Sequence, residues 1–339
     1  MSKIAILGAG SWGTALAIIL SRSPRKHEIR LWVRQERLAA GISGDAENKT
    51  YLPGCIVPGG VLVSSKMETI VRGVAIVVGA VPSAHVREVF SAAKKYLPAE
   101  AAIVSATKGL EPETHLRMSE VLANVFGEKS LPPIAVLSGP SFAAEAARGE
   151  PTAVVVAADS ERSPTLAATV QTEFAAPGFR LYTNDDVLGV ELAGAMKNVI
   201  AIAAGACQGL GLGSNALAAL VTRGLAEMAR LAAALGGKPE TLAGLAGLGD
   251  LVLTCTGTLS RNRHVGFELG AGRKLDEILS GMHMVAEGIG TTVPLLALAR
   301  QHHTELPITE QVDAILYRGR RPREAIREIM DRPQKHESA

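Results

Sequence analysis

The sequence predicts an α/β fold, a doubly wound and mostly parallel sheet followed by an all-helical domain, and three observations carry that prediction. Up to about residue 185, short β-branched runs alternate with stretches of helical periodicity. Most of these runs are continuous rather than alternating in polarity, as strands are when helices cover both faces of a sheet. Past Asp186 the runs vanish, Ala, Leu and Gly dominate, and amphipathic helical periods continue to Met330.

The first run, residues 4–7, leads directly into Gly8, Gly10 and Gly13, and residues 14–20 then suit a helix. Strand, G-x-G-x-x-G turn and helix in that order make a Rossmann-type dinucleotide site. The first glycine permits the tight turn, the second lets a pyrophosphate approach the backbone, and the third lets helix and strand pack closely. The helix N-terminus adds unpaired N–H groups and a partial positive charge. Further strands are predicted at residues 29–33, 75–78, 103–105, 134–137 and 153–156, with a last at 179–182. The second strand ends near Val33, where proteins that prefer NAD place an acidic residue; here Arg34 stands instead. An arginine there can stack on adenine or pair with a 2′-phosphate, so NADP(H) is favoured, or tolerated beside NAD(H). The alternative is a solvent-facing strand-end arginine.

In an open α/β sheet, ligands bind beyond the carboxyl ends of the strands. Three such stretches stand out, residues 79–83, 105–111 and 137–145. Lys108 ends a strand, Pro82 and Ser83 shape a turn, and Gly139 and Ser141 are expected to open a helix whose N–H groups face nicotinamide or substrate. The helical domain begins with an Ala/Ile/Val-rich helix carrying Lys197 and Asn198. Burial would draw a lysine there toward the working range of a proton carrier, whereas a snorkelling side chain would reach the surface. Residues 245–270 combine small residues with Asp250, Ser260, Arg261 and Asn262, a plausible anion pocket in which Arg261 forks onto phosphate oxygens. Alternatively, Ser260 caps a helix and Arg261 lies on the surface. The division expected is residues 1–188 for dinucleotide binding and 189–332 for substrate binding and dimerisation, with a frayed polar tail at 333–339.

Composition narrows the function. With 339 residues the chain has room for about two domains. Its 35 basic and 33 acidic residues leave a net charge of +2, too little for general attraction to polyanions, so no nucleic-acid partner is predicted. The one basic run, "RGRRPR" at 318–323, reads as a solvated turn diluted by Glu324 and Glu328. Cys55, Cys207 and Cys255 lie far apart, suggesting neither a disulfide framework nor a zinc site, and no metal is predicted. The apolar stretches 187–213 and 216–235 carry Glu191, Lys197, Arg223, Glu227 and Arg230, so core helices are expected rather than membrane spans. The first strand begins within three residues of the N-terminus, and a cytoplasmic protein without a signal peptide is expected.

The segments "GAGSWGTALA", "TKGLE", "LSGPSFAAE", "GAMKNVIAI", "AGLGDLVLTC" and "SRNRHVG" occur here in one order. From about residue 3 to 330 the chain resembles the bacterial NAD(P)-dependent glycerol-3-phosphate dehydrogenases. That resemblance implies reversible reduction of dihydroxyacetone phosphate to sn-glycerol 3-phosphate, a phospholipid precursor. It implies cofactor contacts from Ser11, Trp12, Arg34, Lys108, Ala143, Arg261, Val285 and Glu287. It implies a substrate site of Lys108, Gly139, Ser141, Lys197, Asp250, Ser260, Arg261 and Asn262, with Lys197 as proton acceptor in oxidation and Lys108 supporting the developing alkoxide. It implies a homodimer formed through the helical domain. Two other readings remain at this level: a β-hydroxyacid dehydrogenase of related architecture, and a dinucleotide sensor without catalysis.

Overall fold

The computed structural model describes residues 2–336 apart from His283 and Lys335. The predicted tail at 333–339 lies partly outside the described residues. Eight strands form one sheet: β1 (Lys3–Leu7), β2 (Glu28–Trp32), β3 (Leu62–Ser64), β4 (Ile76–Gly79), β5 (Ala102–Ser105), β6 (Ile134–Ser138), β7 (Thr152–Ala158) and β8 (Phe179–Asn184). Their spatial order is β3-β2-β1-β4-β5-β6-β7-β8, with every neighbouring pair parallel except β6 and β7. The order reverses direction between β1 and β4, and a crevice forms at such a switch point. Each predicted run falls on a strand, although Val33 lies just past β2 and Ala75 just before β4. β3 was not foreseen, because three residues at the sheet edge, preceded by Gly59 and Gly60, make too short a pattern to read.

Two apolar layers cover the sheet. Ile4 and Ile6 of β1 face one cluster with the Ser11–Ser21 helix, while Ala5 and Leu7 face the other with Val86, Val89 and Phe90. Burial of both strand faces accounts for the continuous apolar runs in the sequence.

After β8 the chain enters a helix at Val187–Gly209, capped by Asp186, whose carboxylate accepts the Gly189 N–H at 2.8 Å and the Lys238 N–H at 2.8 Å. Among the described residues this is the one helix long and apolar enough to cross a membrane, and 89% of its most apolar window is buried against the rest of the protein. It forms the axis of the second core, with the other helices packed around it. Its closest partner is the Arg261–Gly270 helix. A Cβ on Gly205 would stand 1.9 Å from the Arg263 carbonyl oxygen, and one on Gly266 would stand 1.9 Å from that of Ile202. Glycine is what lets these backbones touch. The basic run at 318–323 is matched locally: Arg318 pairs with Asp313, Arg320 with Glu328 and Arg321 with Glu324.

Candidate active site

A cleft of about 850 Å³ runs from the carboxyl ends of β1, β2, β4 and β5 to the long helix. Gly8, Gly10, Ser11, Trp12 and Arg34 line one end; Lys108, Ser141, Lys197, Asp250, Ser260, Arg261 and Asn262 line the other. Ala143, Val285 and Glu287 also border it.

The glycine end is built from backbone. Gly8 has φ +115° and lies so close to β4 that a Cβ would meet the Ala80 carbonyl oxygen at 2.6 Å. A Cβ on Gly13 would fall 1.8 Å from the Gly8 carbonyl oxygen, so strand and helix meet only without one. Gly10 is different: nothing lies within 4 Å of where its Cβ would be. It is also the N-cap of the Ser11–Ser21 helix and has no side chain to cap it, leaving first-turn N–H groups available. Open space beside uncapped donors fits the pyrophosphate of a dinucleotide. Arg34 stands exposed beside this end with no ion pair among the described residues. Trp12 packs its ring against Phe179 at 6.3 Å.

Side chains build the other end. Lys197 is buried in the long helix, and its Nζ donates to Asp250 Oδ1 at 2.8 Å and to Thr254 Oγ1 at 2.8 Å. The snorkelling alternative therefore fails: the amine points inward to fixed partners. Lys108 Nζ donates to the other carboxylate oxygen, Asp250 Oδ2, at 2.6 Å and to the Gly139 carbonyl at 3.0 Å. One buried carboxylate thus bridges two ammonium groups. Asp250 follows a π-helical turn at Leu245–Gly249, which rotates the chain just before it. Burial pushes Lys197 down to about 8; the charge of Asp250 opposes that fall and the charge of Lys108 adds to it. Burial pushes Asp250 up, but the two ammoniums outweigh it and hold the carboxyl below its usual range.

The supports of this end were not read from the sequence. Glu111 accepts both a 2.8 Å and a 2.7 Å bond from Arg87 and so fixes the loop that carries Lys108. Glu191 of the long helix accepts the Ser119 N–H at 2.8 Å, the Ser119 hydroxyl at 2.6 Å and the Arg117 guanidinium at 2.7 Å. It joins the long helix to the N-terminus of the Met118–Phe126 helix, which lies against the sheet. Such pairs span dozens of residues, so local sequence patterns do not reveal them.

Several expectations need correction. Gly13 and Gly139 stand behind the wall rather than in it: a Cβ on Gly139 would meet Val154 Cα at 2.9 Å, and its carbonyl serves Lys108 and the Ser141 hydroxyl. The helix expected to open at Gly139 and Ser141 begins only at Ala143, because the turn through Gly139 at φ +128° and Pro140 precedes it. Ser260 is the N-cap of the Arg261–Gly270 helix, accepting the Arg263 N–H at 3.2 Å, and it also lines the cleft. Asn262 is internally engaged, donating to Asn198 Oδ1 at 2.9 Å and accepting the Gly288 N–H at 2.9 Å. Arg261 remains the exposed cation of this group. Ser83 does more than shape a turn, since its hydroxyl donates to Glu287 at 2.9 Å and ties the loop after β4 to the second core's helices.

The models for the NAD-dependent glycerol-3-phosphate dehydrogenase N-terminus and C-terminus match residues 3–163 and 186–327. The chain belongs to this family. A glycerol-3-phosphate dehydrogenase [NAD(P)+] of Koribacter versatilis is 53% identical over 334 residues, covering 98% of each chain. Its counterpart in Moorella thermoacetica is 48% identical over 335 residues, covering 99% of this chain and 97% of that one. The crystal structure of glycerol-3-phosphate dehydrogenase from Coxiella burnetii superposes with a TM-score of 0.91 at 42% identity, covering 98% of this chain and 99% of that one. The glycerol-3-phosphate dehydrogenase family accounts for both parts of the chain, sheet and helices together.

Proposed function

We propose that this protein catalyses the reversible NAD(P)H-dependent reduction of dihydroxyacetone phosphate to sn-glycerol 3-phosphate. The observation that carries the reading is the Lys108–Asp250–Lys197 bridge, set in one cleft with an open, uncapped glycine turn. Gly8, Gly10, Ser11 and Trp12 would hold the dinucleotide, with Gly13 behind them keeping strand and helix in contact; Arg34 would meet its adenosine end, and Ala143, Val285 and Glu287 would border it farther along. When bound, the reduced nicotinamide supplies the hydride that goes to C2 of the substrate.

Lys197 hands a proton to the C2 oxygen in reduction and takes it back in oxidation. An amine near pKa 8 suits both directions, because neither form is scarce around neutrality. Asp250 keeps the proton on Lys197 against the cost of burial and orients the amine. Lys108 places positive charge where the alkoxide develops. Arg261 binds the phosphate with help from Ser260 at the helix start, so that a group remote from C2 supplies binding energy. Asn262 and Asn198 hold Arg261's helix against the long helix, and the Gly139 carbonyl, which also accepts from the Ser141 hydroxyl, holds Lys108. The enzyme is further proposed to work in the cytoplasm as a homodimer. Three free, buried thiols suit a reducing compartment, and exposed Phe267, Val293 and Tyr317 offer apolar surface on the helical part.

The test is consumption of NADPH, then of NADH, with dihydroxyacetone phosphate as the only added acceptor. Rapid consumption that depends on the phosphate ester supports the proposal. Turnover of a β-keto acid in its place, or cofactor binding with no turnover, overturns it.

A further inference from the structure

The segment between the Glu36–Asp45 helix and β3 gave no signal in the sequence, yet part of it lies beneath the glycine turn. Its ends are closed by an antiparallel bridge between Glu47 and Ile56, and Tyr51, Leu52 and Pro53 line the cleft. Asn48, fully buried, spends its whole amide there. Nδ2 donates to the Ala9 carbonyl at 2.8 Å and to Thr14 Oγ1 at 2.8 Å, while Oδ1 accepts the Tyr51 N–H at 3.2 Å. The Ser11 hydroxyl in turn donates to the Tyr51 carbonyl at 2.6 Å.

We infer that Asn48 is a positioning residue for dinucleotide binding, acting through the Ala9–Gly10 peptide. In a trans peptide the carbonyl of one residue and the N–H of the next point in opposite directions. Holding the Ala9 carbonyl down on Asn48 turns the Gly10 N–H up, toward the space left open by the absent Cβ. That N–H makes no backbone hydrogen bond among the described residues. Without Asn48 the peptide is free to rotate, and a donor that should be set before the phosphate arrives must instead be ordered by it. The second bond, to Thr14, fixes the first turn of the helix relative to the same carbonyl. Asn48 touches no reacting atom, so its effect falls on nucleotide affinity.

This inference rests on the proposed dinucleotide site, and direct binding separates the two. NADPH is titrated into the wild type, Asn48→Ala, Asn48→Asp and Thr14→Val, with binding read from nicotinamide fluorescence, and steady-state constants are measured beside it. The expected result for Asn48→Ala is a Kd and a KM for NADPH raised about tenfold or more, the loss of roughly one charge-assisted hydrogen bond. KM for dihydroxyacetone phosphate and kcat at saturating NADPH should stay within about threefold of the wild type, a split that loss of packing alone does not produce. Thr14→Val, which keeps the bond to Ala9, should weaken NADPH binding by less than Asn48→Ala does. Wild-type affinity in Asn48→Ala overturns the inference, as does an equal loss in Thr14→Val. If Asn48→Ala does not fold, Asn48→Asp decides: it keeps the shape and the acceptor for Tyr51 but cannot donate to Ala9, and wild-type affinity there overturns the inference. A wild type that fails to bind NADPH removes the dinucleotide site itself.

Discussion

The two ends of the cleft are made of different materials. At the glycine end the working groups are backbone, supplied by residues within six positions of one another, and the design consists of side chains left out. At the lysine end they are charged side chains from residues 108, 197 and 250, and the design consists of side chains brought together. The first end should be broken by adding a methyl group, the second by removing an amine. A backbone site depends on shape, whereas a charged site depends on the balance between desolvation and pairing.

The largest effect should come from the lysine end. Lys197→Ala should lower turnover by about 10²–10⁴-fold, the range for loss of a general acid or base, with NADPH affinity unchanged. Equal losses in turnover and NADPH binding would erase the distinction between the ends. Next come the glycines, which should separate from each other. Gly13→Ala forces a methyl into the Gly8 carbonyl and should cost roughly 1–3 kcal/mol of stability or more, read as a lowered Tm. Gly10→Ala has room for its methyl in the folded protein and should leave stability within about 1 kcal/mol, yet weaken NADPH binding severalfold because the methyl projects where phosphate would lie. A Tm loss in Gly10→Ala as large as in Gly13→Ala would contradict the assignment of open space. The smallest effect belongs to Arg34, an exposed side chain at the rim. Arg34→Ala should raise KM for NADPH about tenfold relative to KM for NADH, the scale of one charge-assisted contact. An unchanged ratio would show that Arg34 does not read the 2′-phosphate.

The same contrast decides what could be read from the sequence. β1, the glycine turn and the first helix are contiguous, and the spacing of Gly8, Gly10 and Gly13 encodes the turn directly. Lys197 was visible as a charge in an apolar helix, but periodicity could not say whether it pointed inward, because that depends on Asp250, far along the chain. Six ordered motifs linked them through family resemblance, not through local physics. Ser260 shows how two readings can both hold, since one hydroxyl caps a helix and borders the cleft. Asn262, expected in the substrate site, lines the cleft and also bonds Asn198 and Gly288, a structural duty that no local pattern shows. Glu191 stands out, like Lys197, as a charge in an apolar helix, but its partners Arg117 and Ser119 do not; Asn48 leaves no trace, since an amide that satisfies backbone groups of a distant segment looks like any polar loop residue. Even β3 was lost for lack of length.

The pH dependence of kcat/KM for dihydroxyacetone phosphate reduction, compared between wild type and Lys197→Ala, tests the central claim most directly, because kcat/KM reports groups of the free enzyme. Burial brings Lys197 from the ordinary lysine range down to about 8, and in the proposed mechanism reduction needs its protonated form. In the wild type the rate should therefore fall as pH rises through about 8, and oxidation of sn-glycerol 3-phosphate should rise over the same interval. The residual rate of Lys197→Ala should lack that limb. A limb near 8 that persists in Lys197→Ala would assign the proton to another group and contradict the account.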